Sequence, residues 1–141
     1  MGTMSVEVPI ALMGTVRIDV STDRSTASIG DARASTRGFL DRLVPSVADQ
    51  AGEDVVLVVS ELVTNALRHG GGTCILTLTA YPDGIEVSVQ DPSPLPPRTR
   101  VPDLHGGSGG FGWSMVNHLA QTTTVTHMQT GGKTVSALLP R

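Results

Sequence analysis

The sequence has one cysteine, Cys74, in 141 residues. That excludes an intramolecular disulfide and a cysteine-built zinc site. A lone thiol fits a reducing, cytoplasmic compartment, where it is most often a small buried hydrophobe. No apolar run reaches the roughly 20 residues that cross a bilayer. A positively charged leader is missing, and Glu7 interrupts the apolar stretch at the N-terminus, so no secretory signal is expected. Charge is sparse and acidic in balance, with 10 basic against 13 acidic residues. A general nucleic-acid binder carries a basic surplus, so that class is set aside. Sixteen glycines and nine prolines show no period, which excludes a collagen-like chain. What remains is 39% hydrophobic residues in a chain of one-domain length, which is globular composition.

Periodicity places the elements. Thr15–Ser21 alternates, with Val16, Ile18 and Val20 on one side, and predicts a half-buried strand. Asp31 is the expected cap of a first helix carrying Ala32, Phe39, Leu40, Leu43 and Val47; Gly38 and Pro45 weaken its middle and end. Asp49–Asp54 reads as a connector. A second helix is predicted from about Glu53 to His69, stopped by Gly70-Gly71-Gly72. Thr73–Tyr81 and Ile85–Gln90 form a hairpin around Pro82-Asp83-Gly84. Asp91–Gly110 has no period, and an irregular stretch of that length is usually functional. Phe111–Gln121 reads as a short helix, and Thr122–Met128 with Lys133–Leu139 as a closing hairpin. Hairpins beside helices predict an α+β domain over residues 14–141, helices layered on a mixed sheet. Residues 1–13 read as an N-terminal extension or a first edge strand.

The second helix carries a polar stripe. In VVLVVSELVTNALRH the pairs Ser60-Glu61, Thr64-Asn65 and Arg68-His69 alternate with apolar pairs. Residues four apart share a face, so Glu61, Asn65 and His69 form one line. A solvated face is one reading of it. The other is chemical: the stripe is short of long charged side chains and sets a carboxamide one turn from a carboxylate. An Asn oxygen suits a Mg²⁺ ion that also borrows phosphate oxygens, and a Glu accepts a proton from a hydroxyl. His69 also suits a helix C-terminus, where a cation meets the negative end of the dipole.

Two further features bear chemistry. Asp91 ends a strand, where a carboxylate accepts a hydrogen bond from an exocyclic amine such as adenine's; guanine presents a carbonyl at that edge. The bland alternative is a turn aspartate ahead of Pro92. The run Gly106–Gly112 (GGSGGFG) opens a helix, and glycines before unpaired N–H groups let a backbone approach phosphate; the alternative is a flexible surface loop. Gly107, Gly109 and Gly112 spell G-x-G-x-x-G. No strand precedes them, and no Asp or Glu follows Asp103 to hold a ribose, so the dinucleotide fingerprint fails. Gly132-Lys133-Thr134 is not a P-loop, because the required first glycine falls at His127. No H-E-x-x-H or G-x-S-x-G occurs.

The order of these pieces carries a resemblance. Glu-x-x-x-Asn on a helix, an Asp at a strand end, a glycine loop opening a helix, and Gly-Lys-Thr on the last hairpin resemble the Bergerat-fold (GHKL, histidine-kinase-like) ATPases. These include gyrase, the heat-shock chaperone ATPase, histidine kinases and mismatch-repair ATPases. Val59–His69 (VSELVTNALRH) is similar to the N-box of the anti-sigma-factor serine/threonine kinases, and Gly110–Val116 (GFGWSMV) resembles their glycine box. The resemblance runs from about Val16 to Leu139. It implies a two-layer α/β sandwich with helices on one face of a mixed, mostly antiparallel sheet. It also implies ATP and Mg²⁺ as cofactors, and phosphate transfer to Ser or Thr of a STAS-type antagonist. A sigma factor would be the second partner and a homodimer the assembly. Position by position, it implies Glu61 as general base, Asn65 as Mg²⁺ ligand and Asp91 as reader of the adenine amine. Gly107, Gly109, Gly110 and Gly112 would form the lid and phosphate cradle, and Thr134 would support adenine recognition from the last strand. Leu62 and Ala66 would wall the pocket or simply join the core. Many relatives continue the Asp as D-x-G-x-G, whereas this chain continues Asp91-Pro92-Ser93-Pro94; Trp113 stands where a smaller aliphatic is common. The first departure keeps a second reading open, a nucleotide-binding module that acts by protein–protein binding with little or no catalysis.

Overall fold

Strand alternation builds the core. Leu76, Leu78 and Ala80 point to one side of their strand, as do Ile85, Val87 and Val89 on the next, and Val135, Ala137 and Leu139 on the last; all nine are buried. The residues between them, such as Thr77, Glu86, Ser88 and Ser136, are only half-buried. A period of two therefore gives the sheet one helix-covered face and one open face.

The structure is a computed structural model and describes residues 14–23, 26–97 and 112–141. The expected extension or edge strand over 1–13 lies outside the described residues. So do Gly107, Gly109 and Gly110 of the glycine loop. Among the described residues the order is β1 (Gly14–Ser21), α1 (Ile29–Asp41), α2 (Asp49–His69), β2 (Thr73–Tyr81), β3 (Gly84–Asp91), α3 (Gly112–Leu119), β4 (Thr122–His127) and β5 (Lys133–Pro140). The sheet order is β1-β2-β3-β5-β4, and every one of these strand pairs is antiparallel. Among the described residues the one parallel contact is an isolated bridge, Val20 to Ala27. The helix α2 lies over β2, β3 and β5, with α1 reaching β1 and α3 reaching β4 and β5. This is the α+β architecture expected from the sequence, helices on one face of an antiparallel sheet.

Two helix starts differ from expectation. The cap of α1 is Ser28, not Asp31. Its hydroxyl accepts from the Asp31 N–H at 3.1 Å, and the Asp31 carboxylate accepts from the Ser28 N–H at 2.9 Å. Both residues thus serve one reciprocal capping box. That hydrogen bonding holds the Asp31 carboxyl below its ordinary value. The second difference is that α2 begins at Asp49, so the expected connector is its first turn. Gly52 costs helix propensity. It sits against Leu40 of α1, and its N–H donates to Ala48 at 2.9 Å, so packing between helices outweighs the local preference.

The capping box predicts a measurable loss. Ser28→Ala lowers the unfolding free energy by about 1 kcal/mol in denaturant titration. An unchanged midpoint would show that the box contributes nothing.

Candidate functional site

Phase along two strands builds the centre of the site. Asp91 ends β3 in step with Ile85, Val87 and Val89, so it faces the helices. Lys133 opens β5 in step with Val135, Ala137 and Leu139, and it faces the same way. The antiparallel register sets these two residues directly opposite each other. Their side chains are 3% and 5% exposed, and the lysine Nζ lies 3.0 Å from Oδ1 and 2.9 Å from Oδ2 of Asp91. The Ser93 N–H donates to Oδ1 at 2.8 Å, and Nζ reaches the Ser93 carbonyl at 3.4 Å.

Two glycines let the chain close around this pair. A Cβ on Gly70, at the end of α2, would stand 2.6 Å from the Asp91 Cγ and 2.6 Å from the Ala66 carbonyl. A Cβ on Gly132 would overlap the Asp91 carbonyl oxygen. The helix stop read from Gly70-Gly71-Gly72 therefore has a second cause, close approach to Asp91. Cys74 is nearby and buried, as a lone cysteine usually is. Burial, and then the charges of Asp91 and Asp19, push its thiol up to about 12.

Asn65 comes to the same place. With Ala66, His69, Asp91, Lys133 and the Pro96-Pro97 segment it borders a cavity of about 10 Å³, room for about one water molecule. Glu61 does not border that cavity. Its Oε1 accepts from the N–H of Gly112, the first residue of α3, at 3.1 Å. A carboxylate there suits the positive end of a helix. Glu61 opens instead onto a groove of about 430 Å³ between α1 and α2, shared with Arg33, Ser60, Thr64 and Arg68. Arg33 Nε donates to Ser60 Oγ at 2.8 Å. The stripe on α2 is thus neither a plain solvent face nor core: Ser60, Glu61, Thr64 and Asn65 are half-buried, and Arg68 and His69 are exposed.

Thr134 is not at the cavity. Strand alternation turns it to the open face, where its hydroxyl donates to Met128 Sδ at 3.7 Å. Lys133, one residue earlier, holds the helix-side position. The sequence contained the signal, since a lysine in phase with Val135, Ala137 and Leu139 points at the core. Among the described residues no three of His, Cys, Asp and Glu gather as a metal cage.

Residues 22–138 match the family described as histidine kinase-like ATPase domain. The chain belongs to that family. No curated protein matches the sequence. Among solved structures, the chain is similar to the RsbU and RsbW domains of Rv1364c from Mycobacterium tuberculosis, with a TM-score of 0.63 and 20% identity over 91% of this chain. It spans 33% of that larger chain. It is also similar to the SiaB–SiaC complex from Pseudomonas aeruginosa, with a TM-score of 0.55 and 12% identity, covering 94% of this chain and 92% of that one. At these identities the likeness is one of fold.

A histidine kinase-like ATPase domain invites a test against Mg-ATP. By residue type the phosphate end fits: Asn65 carries a carboxamide oxygen of the kind Mg²⁺ takes, and α3 begins against Glu61, one turn away on the same helix. At Asp91 it does not fit, because both carboxylate oxygens are engaged and the cavity shared with Asn65 is too small for a ring.

The pair itself is testable without nucleotide. Removing one member of a buried ion pair leaves an uncompensated charge, so Asp91→Ala lowers the unfolding free energy by about 3–5 kcal/mol. Were Asp91 only a ligand contact, the nucleotide-free variant would melt with the wild type.

Proposed function

We propose that the chain is an ATP-dependent regulator of the anti-sigma type, which transfers phosphate to Ser or Thr of a STAS-type antagonist. One observation carries this reading: α2 separates two spaces. Asn65 looks onto the cavity beside Asp91, and Glu61, one turn earlier, looks onto the open groove. Because Glu61 and Asn65 stand one turn apart on one helical line, a phosphoryl donor held at Asn65 would adjoin an acceptor hydroxyl at Glu61. The similarity of Val59–His69 to the N-box of anti-sigma-factor kinases supports it, as does the fold likeness to a structure containing an RsbW domain.

The roles follow from chemistry. Bound Mg-ATP would supply the phosphoryl group and the cation that offsets its charge. Asn65 would ligate that cation, which takes few protein ligands and keeps waters. Glu61 takes the proton of the acceptor hydroxyl, while the Gly112 N–H on Oε1 orients its carboxylate. Gly112, with Gly107, Gly109 and Gly110, belongs to the phosphate cradle in this reading. A sigma factor as the alternate partner, a homodimer and a cytoplasmic location belong to it as well. Among the described residues no helix is long and apolar enough to cross a membrane. The Asp91–Lys133 pair favours a second reading, a module that binds partners with little catalysis.

Labelled ATP, with an antagonist co-purified from native extract, tests the assignment. Glu61→Gln keeps an oxygen for the Gly112 N–H, leaves the Kd for Mg-ATP unchanged, and slows transfer about 10²–10⁴-fold. Asn65→Ala instead weakens Mg-ATP binding about tenfold or more, seen by calorimetry. Equal loss of binding in both variants would defeat these roles. Tight binding by the wild type with no label on the antagonist would select the second reading.

A further inference from the structure

The base end of the site carries one more inference, which rests on the nucleotide reading above. We propose that Lys133 removes base selectivity from this site: it takes up the Asp91 carboxylate, so a nucleoside triphosphate is retained by its phosphates and not chosen by its base.

The argument is one of available hydrogen-bonding positions. A carboxylate has about four lone-pair sites. On Asp91, Oδ1 accepts from both Lys133 Nζ and the Ser93 N–H. Oδ2 accepts from Lys133, and its other side lies against Gly70, where even a Cβ would stand only 2.7 Å away. No acceptor is left for an exocyclic amine. The lysine offers little in exchange, since its ammonium is turned to the two Asp91 oxygens and the Ser93 carbonyl. Adenine brings an amine to this edge and guanine a carbonyl, and the pair discriminates for neither.

The pair is also hard to displace. Register sets it, two glycines close over it, and both side chains are at least nine-tenths buried. Swinging Lys133 away would leave an aspartate buried without its counter-charge. Space points the same way. The cavity that the pair shares with Asn65 is about 10 Å³, whereas pockets that hold small ligands run to about 300 Å³ or more; the roomier hollow of about 450 Å³ that Asp91 also borders, beside Cys74 and Gln90, includes neither Asn65 nor Lys133.

The full chain is titrated with Mg-ATP and with Mg-GTP by calorimetry, as wild type and as Lys133→Thr. Threonine suits a strand, vacates the lysine's volume and donates one hydrogen bond, which frees an Asp91 oxygen. The wild type is expected to bind the two nucleotides within about threefold of each other. Lys133→Thr is expected to prefer ATP by about tenfold or more, because a freed acceptor rewards the amine and opposes the carbonyl. A wild type that itself prefers ATP tenfold overturns the inference and leaves the nucleotide reading standing. A folded Lys133→Thr protein without an ATP preference also overturns it. Binding of neither nucleotide to either protein defeats the nucleotide reading and this inference together. Circular dichroism monitors folding of the variant; should it not fold, the wild-type ratio decides alone.

Discussion

An ammonium and a carboxylate, Lys133 and Asp91, are buried face to face where the middle of the sheet meets the end of its central helix. Taking two charges out of water is costly, and mutual attraction offsets that cost only when the geometry is good and the remaining positions are hydrogen-bonded. Here Ser93 supplies the extra donor and the extra acceptor. The arrangement constrains the surrounding backbone in turn. Slipping β5 by one residue against β3 would turn Lys133 outward and carry Val135, Ala137 and Leu139 with it. The ion pair and the apolar face therefore demand the same register.

The helix α2 is the second organising element. Its apolar pairs, Val55-Val56, Val58-Val59 and Leu62-Val63, hold it to the sheet and to α1. The polar pairs Ser60-Glu61 and Thr64-Asn65 then fall at its flanks, half-buried. Core packing thus decides which spaces Glu61 and Asn65 see. A rigid helix is a good support for such groups, because side chains one turn apart keep their spacing whatever the neighbouring loops do. The contact from Glu61 to the start of α3 ties this helix to the end of the glycine-rich segment. Membership of the histidine kinase-like ATPase domain family agrees with that plan. At the sheet end of this plan the Asp91 carboxylate already has a partner in Lys133.

Much of the fold was legible in residue order. Alternation in Thr73–Tyr81 and the closing hairpin marked strands, and the long apolar run before Gly70 marked a helix. What misled was local chemistry with two possible uses. Asp31 is a good cap by type, but it is the N3 partner of the true cap, Ser28. Asp49–Asp54 holds helix-start residues and a glycine, and its helicity comes from packing on α1. At the site, Glu61, Asn65 and Asp91 stood out as polar residues at the margins of apolar patterns. Lys133 sits within a short motif, Gly-Lys-Thr, that masks its place in the strand's period.

The sequence by itself determined which residues face the core, because burial of apolar side chains enforces periods of 2 and 3.6 whatever the partner elements are. It also determined that Glu61 and Asn65 lie on one helical line. Only the tertiary structure decided that these two border different spaces, that Thr134 lies across the sheet, and that Asp91 meets a lysine 42 positions away. Strand partners and their register depend on contacts distant in the chain, and no local pattern encodes which charge a buried carboxylate will find.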